Sequence, residues 1–146
     1  MNRSQLDKYI TDYYGVRAER LFEKNPGFQA YRHNDTKKWF AMIMDLPESR
    51  LGLDEQKIID VVNLKCDPIL IGSLRLEQGF YPAYHMNKEN WITVALDERV
   101  PDEKLRMLVD MSYELTRKKL RRKKVKNTAC ECNEQTQAVN VLFTFS

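Results

Sequence analysis

The order of apolar patterns in this 146-residue chain predicts an α+β fold in which helices cover one face of a β-sheet. Two observations carry that expectation. Apolar residues recur at helical spacing in two flanking segments, at Leu6, Ile10, Tyr14, Ala18 and Leu21 and again at Leu105, Leu108, Val109 and Leu115, with the small polar Ser112 on the same spacing. Between them lie runs rich in β-branched and aromatic residues, punctuated by proline, glycine, asparagine and aspartate.

Taken in order, Ser4 is a candidate cap for the first helix, with Asp7 three residues on as a weak capping-box partner. Gly15 interrupts the pattern, and Asn25-Pro26-Gly27 should end the helix. Residues 28–32 and 38–44 read as two strands of a hairpin joined through His33-Asn34-Asp35-Thr36. Residues 57–65 read as a third strand. Asp67 and Pro68 then supply a cap and a first-turn proline for a short helix ending at Gly79. Residues 80–84 are expected to be extended, 84–90 a turn or wing, and 91–96 a strand. In that strand Ile92, Val94 and Leu96 share one face while Trp91, Thr93 and Ala95 share the other. The last large helix begins near Pro101, with Asp102 and Glu103 complementing the positive end of its dipole.

At 42% hydrophobic and 31% charged residues the composition fits one soluble globular domain, placed at residues 1–126, with residues 127–146 as an appendage. No apolar run approaches the roughly 18 residues of a membrane span, and Met1 to Lys8 lacks the apolar core of a signal peptide, so the expected location is the cytoplasm and no membrane partner is expected. Three cysteines, an odd number, suit reduced thiols. In the appendage, Val139, Val141, Phe143 and Phe145 alternate with Asn140, Leu142 and Thr144, which predicts a strand over 137–145. Such a strand is expected to join a sheet edge, in its own chain or in a second copy as a homodimer.

The net charge of +3 conceals a local concentration. Residues 117–126 hold eight of the 24 basic side chains and no acid; the other 16 stand against 21 acids, a net of −5. Such a block, including Arg121, Arg122, Lys123 and Lys124, either attracts phosphates by displacing counterions or is a solvated helix end that complements the helix dipole.

The densest recognition chemistry lies in residues 84–91, Tyr-His-Met-Asn-Lys-Glu-Asn-Trp. Lys88 can contact a phosphate, Asn87 a phosphate or base edge, and His85 either one depending on its protonation. Equally, Asn87 can stabilise the turn, Lys88 can be solvated, His85 can bond to backbone and Trp91 can fill an edge of the sheet. Together with residues 62–68 (Val-Asn-Leu-Lys-Cys-Asp-Pro), 79–91, 101–105 and Ser112-Tyr113, this stretch resembles the MmcQ/YjbR family. The resemblance runs from about Phe28 to Leu120. It implies a bacterial protein with a curved antiparallel sheet and helices packed on one face, related to the frataxin-like fold and to the double-wing DNA-binding domain of a bacteriophage transcription factor. It further implies DNA binding, with Lys65, His85, Asn87, Lys88 and Trp91 at the matching positions.

Catalytic signatures are thin: neither His33 nor His85 has a sequence-local nucleophile or carboxylate partner, and there is no glycine-rich phosphate cradle. No catalytic residue and no cofactor is expected. Cys130-x-Cys132, with Cys66 or a histidine, could hold zinc or copper, but the usual pair of CxxC elements is missing, and Asp7, Asp12, Glu19 and Glu23 form no acidic ridge for iron. No metal site is expected. Two readings from different classes remain. One is a DNA-binding domain with modest, electrostatic affinity through the sheet surface and the basic helix end. The other is a non-enzymatic domain that binds a protein or small ligand on the same surface.

Overall fold

The computed structural model describes residues 1–22, 24–52 and 56–117, which form a six-stranded antiparallel sheet and three α-helices. The α+β expectation holds. Helix α1 spans Arg3–Tyr14, and its cap is Asn2 rather than Ser4: the Asn2 side chain accepts the Gln5 N–H while the Gln5 side chain accepts the Asn2 N–H, each at 2.9 Å. The helix also stops earlier than its apolar spacing suggests. Gly15 adopts a left-handed φ of 69° and its N–H donates to Thr11 O, a terminator that costs a glycine little. The segment expected to carry the helix on to Leu21 instead contains strand β1, Glu19–Phe22, which pairs with β2, Asn25–Arg32. Ala18 still packs on the core, beside the buried Val16, so that part of the apolar pattern is satisfied by a different backbone.

The remaining elements are β3 (Trp39–Pro47), a 3-10 turn (Glu48–Leu51), β4 (Ile58–Lys65), α2 (Pro68–Leu74), β5 (Phe80–Pro82), β6 (Trp91–Ala95) and α3 (Asp102–Thr116). Across the sheet they run β1-β2-β3-β4-β6-β5, every neighbouring pair antiparallel. Asp67 caps α2 as expected, accepting the Ile69 N–H at 2.9 Å, but the helix ends at Leu74 and the chain turns through residues 75–79 to Gly79 at φ 91°. Pro82 sits in β5, an edge strand, where its missing N–H is tolerated.

Strand alternation sorts the sheet's side chains into two layers. Ile43, Val62, Leu64, Ile92 and Val94 pack with Leu6 and Ile10 of α1, Ile71 and Leu74 of α2, and Leu105, Leu108 and Val109 of α3. Burying side chains of this size stabilises the fold by about 1.5–3 kcal/mol each. The opposite face is not bare. Met44, Leu46, Ile59, Val61 and Ala95 form a second cluster closed over by Phe28, Leu51, Tyr81 and Tyr84. The middle of that face is therefore sealed, and what remains accessible lies at its margins. Among the described residues, no helix is long and apolar enough to cross a membrane.

Candidate functional site

At one end of the sheet the β2–β3 register slips. Tyr31 faces Ala41 but the next pair is Arg32 with Trp39, which leaves Phe40 as an extra residue on β3. The bulge lets Phe40 join the helix-side core while Trp39 stands with Arg32 on the other face. The guanidinium carbon of Arg32 lies 5.7 Å from the Trp39 ring centroid, within range for a cation–π contact. Its Nε is 3.5 Å from Glu19 Oε1 but makes no well-formed hydrogen bond, so this arginine is held loosely by its acid. The connecting turn places Lys37 at a left-handed φ of 65°, with its N–H donating to His33 O.

Two strands over, Lys65 of β4 pairs directly with Trp91 of β6. Between the ends of β3 and β4 the ladder is replaced by a side chain from α3: Ser112 Oγ accepts the Lys65 N–H at 2.9 Å and donates to Phe40 O. One turn later Thr116 Oγ1 lies 2.7 Å from His33 Nε2 and donates to Ser112 O. The His33 ring is buried against Phe40 and Tyr113. Its pKa is lowered, chiefly by desolvation, so it sits in this corner as a neutral structural group.

These elements enclose an open concavity of about 490 Å3, lined by Arg32, Lys37, Lys38, Trp39, Lys65, Trp91 and Thr116. Four of those seven side chains are cationic and none is acidic. A second concavity, of about 460 Å3 between α1 and the start of α3, differs in this respect: its lining holds Asp12 and Asp102 beside Lys8 and Arg106, and Lys8 is paired with Asp12 at 2.8 Å. Of these two concavities, the one at the bulged end of the sheet carries the net cationic set of lining side chains.

The segment from residue 83 to residue 90 crosses the sheet's second face and is fastened from below. Asn63 Nδ2 donates to Tyr84 O at 2.8 Å, the Tyr84 N–H donates to Thr93 Oγ1 at 3.0 Å, and the Thr93 hydroxyl donates to Asn63 Oδ1. Both Asn63 and Thr93 are fully buried. Asn87 stabilises the turn itself, its Oδ1 accepting the Glu89 N–H at 2.8 Å and its carbonyl accepting the Trp91 N–H at 2.9 Å. His85 is exposed at a left-handed φ of 60°, with its ring against Tyr84. Lys88 borders a smaller concavity of about 220 Å3 with Arg50 and Tyr84, and Arg50 donates to the Tyr84 hydroxyl at 3.0 Å.

Of the residues singled out in the sequence, Lys65 and Trp91 come together in one concavity, whereas Lys88 lines another and the Asn87 side chain turns back on its own loop. Arg121, Arg122, Lys123, Lys124, Cys130, Cys132 and the strand expected at 137–145 lie outside the described residues. Cys66 is buried, its thiol pKa raised by desolvation, and among the described residues no group of three or more histidine, cysteine or acidic side chains could hold a metal. Sequence reasoning missed Arg32, Lys37, Lys38, Trp39 and Thr116. A signal existed, since the two tryptophans of the chain each open a strand near a lysine, but the bulge that turns Trp39 toward Lys65 has no local sequence mark.

The YjbR family model matches residues 11–115, a segment that contains every residue lining the cationic concavity except Thr116. The chain belongs to the YjbR family. YyaQ of Bacillus subtilis strain 168 is 35% identical over 117 residues, spanning 80% of this chain and 99% of its own. YjbR of Escherichia coli K12 is 34% identical over 90 residues, which cover 61% of this chain and 75% of that protein. Among solved structures, a Pseudomonas syringae protein superposes with a TM-score of 0.78 at 43% identity, covering 80% of this chain and all of that one. A Deinococcus radiodurans protein with a DUF419 domain superposes at 0.62 with 25% identity, covering 81% of this chain and 80% of its own. The basic run at 117–126 lies beyond the part that the family model matches.

Proposed function

We propose that this YjbR-family protein binds DNA through the cationic end of its sheet, with modest and mainly electrostatic affinity. The observation that carries the reading is the convergence of Arg32, Lys37, Lys38 and Lys65 on one open concavity without an acidic side chain in its lining. Lysine and arginine gathered in this way displace counterions from a phosphate backbone, which is the main source of affinity for sequence-independent binding. Lys88, which lines a separate concavity, and exposed His85 lie on the loop that leads into Trp91, and Arg121, Arg122, Lys123 and Lys124 add charge that sequence alone identifies. The sealed centre of the face and the net negative charge of the chain outside its basic run argue for a local contact rather than extensive wrapping.

The test is affinity as a function of salt. Replacing Lys38 and Lys65 together by glutamine is expected to weaken binding and to reduce the slope of log K against log salt by about two units, near 0.9 for each duplex phosphate that is no longer neutralised. Replacing Lys8 and Lys104 on the helix side should leave the slope unchanged. Equal slopes for the folded Lys38/Lys65 variant and the parent chain would rule this surface out.

A further inference from the structure

Resting on that nucleic-acid reading, we infer that the cationic concavity is built for a single strand, whose unpaired bases stack on Trp39 and Trp91 while its phosphates meet the intervening cations. The register supports the assignment. Arg32 on β2 pairs with Trp39 on β3, and Lys65 on β4 pairs with Trp91 on β6, so four strands in spatial order present a cation, an indole, a cation and an indole at the same end of the sheet. Two strand spacings, roughly 10 Å, separate the strands that carry the indoles. A nucleic-acid strand lying across this row meets charge and ring surface alternately.

The chemistry separates a single strand from a duplex. Phosphate contacts alone need only lysine and arginine, which any surface can supply. An indole contributes when it finds a free π-face, and in a duplex those faces are consumed by stacking within the helix. Both tryptophans of the chain line this one concavity, so their indole surface is concentrated where the cations converge. Each is only partly buried. Trp91 has no ring or cation–π partner among the described residues, while Trp39 is braced by Arg32, which can itself stack on a base.

Because the two tryptophans lie at the site, intrinsic fluorescence of the full chain reports on it directly. The probes are a thymidine homopolymer of about a dozen nucleotides, a length within the range used by single-strand binders, and a mixed-sequence duplex of equal length, each end-labelled for anisotropy at low salt. The homopolymer is expected to quench tryptophan emission saturably and to bind about tenfold or more tighter than the duplex. Trp91→Ala should weaken single-strand binding about tenfold, the equivalent of one base left unstacked. Trp91→Phe, which keeps a ring and checks that the site still folds, should lose little. Duplex binding at least as tight as the homopolymer, or homopolymer binding without quenching, overturns the single-strand assignment and leaves the DNA reading standing. If neither probe binds, both readings fall.

Discussion

His33 marks the point at which structure and proton chemistry meet beside the cavity. Its ring is packed on Phe40 and Tyr113 and its Nε2 is bonded to Thr116 Oγ1, a side chain that also lines the concavity. Desolvation lowers its pKa below the ordinary 6.5, despite opposing contributions from Asp35, the Tyr113 backbone and Glu114. The sign follows from linkage. Well above 6.5 the ring is neutral in both folded and unfolded chains and its contribution is complete; as pH falls toward 6.5 the unfolded chain takes up the proton first, and stability is lost down through the folded value. The unfolding free energy from urea titrations should therefore drop between about pH 7.5 and 5.5, by at most about 1.4 kcal/mol per pH unit from this group. In His33→Gln, which cannot take up a proton there, that part of the slope should vanish whatever its absolute stability. An unchanged slope assigns the pH dependence elsewhere. In the sequence this histidine is legible only as a turn residue, because nothing local shows that α3 will pack Thr116 against it across 83 positions.

At the scale of elements, the loop that carries His85, Asn87 and Lys88 is positioned by two buried residues that do not belong to it. Asn63 on β4 and Thr93 on β6 are neighbours in register, and together they satisfy both the carbonyl and the N–H of Tyr84. Thr93→Val keeps the shape but removes the hydroxyl, leaving the Tyr84 N–H without its partner at a cost of about 1–3 kcal/mol. Amide exchange should accelerate at Tyr84 and at Trp91 and Cys66, whose N–H groups bond to this loop, while Ile43 and Met44 within β3 keep their protection. Uniform acceleration across the sheet would instead mean a global loss of stability. The alternation of β6 is readable from sequence because a strand's period of two is fixed by the backbone. The end of α1 is not. Gly15 and the apolar residues after it satisfy both a helical and an extended pattern, and pairing with β2 decides between them. The Arg32–Trp39 pairing is equally hidden, since an extra residue in a strand is settled by what packs on either side of it.

For the whole molecule, charge is distributed against a simple net value. The helix-side concavity pairs its lysine internally and the sheet's centre is apolar, so under the proposed function a polyanion meets the cations that line the bulged end. Helix α3 ends at Thr116, which lines that same concavity, and the run of eight basic residues begins at the very next position. The run therefore follows the site directly in sequence, and it is expected to act on the same bound strand by raising the effective concentration of positive charge there. Replacing Arg121, Arg122, Lys123 and Lys124 by glutamine in the full chain is therefore expected to lower affinity for the thymidine homopolymer and to cut its salt slope by up to about 2.8 units, near 0.7 for each single-strand phosphate contact. The depth of tryptophan quenching at saturation should not change, because the indoles that report it are in place without these residues. Loss of quenching would mean that the run orders the bases, and an unaltered slope would mean that it never meets the phosphates. Lower affinity at constant quench depth is the result that separates a nonspecific electrostatic supplement from the stacking site on the sheet.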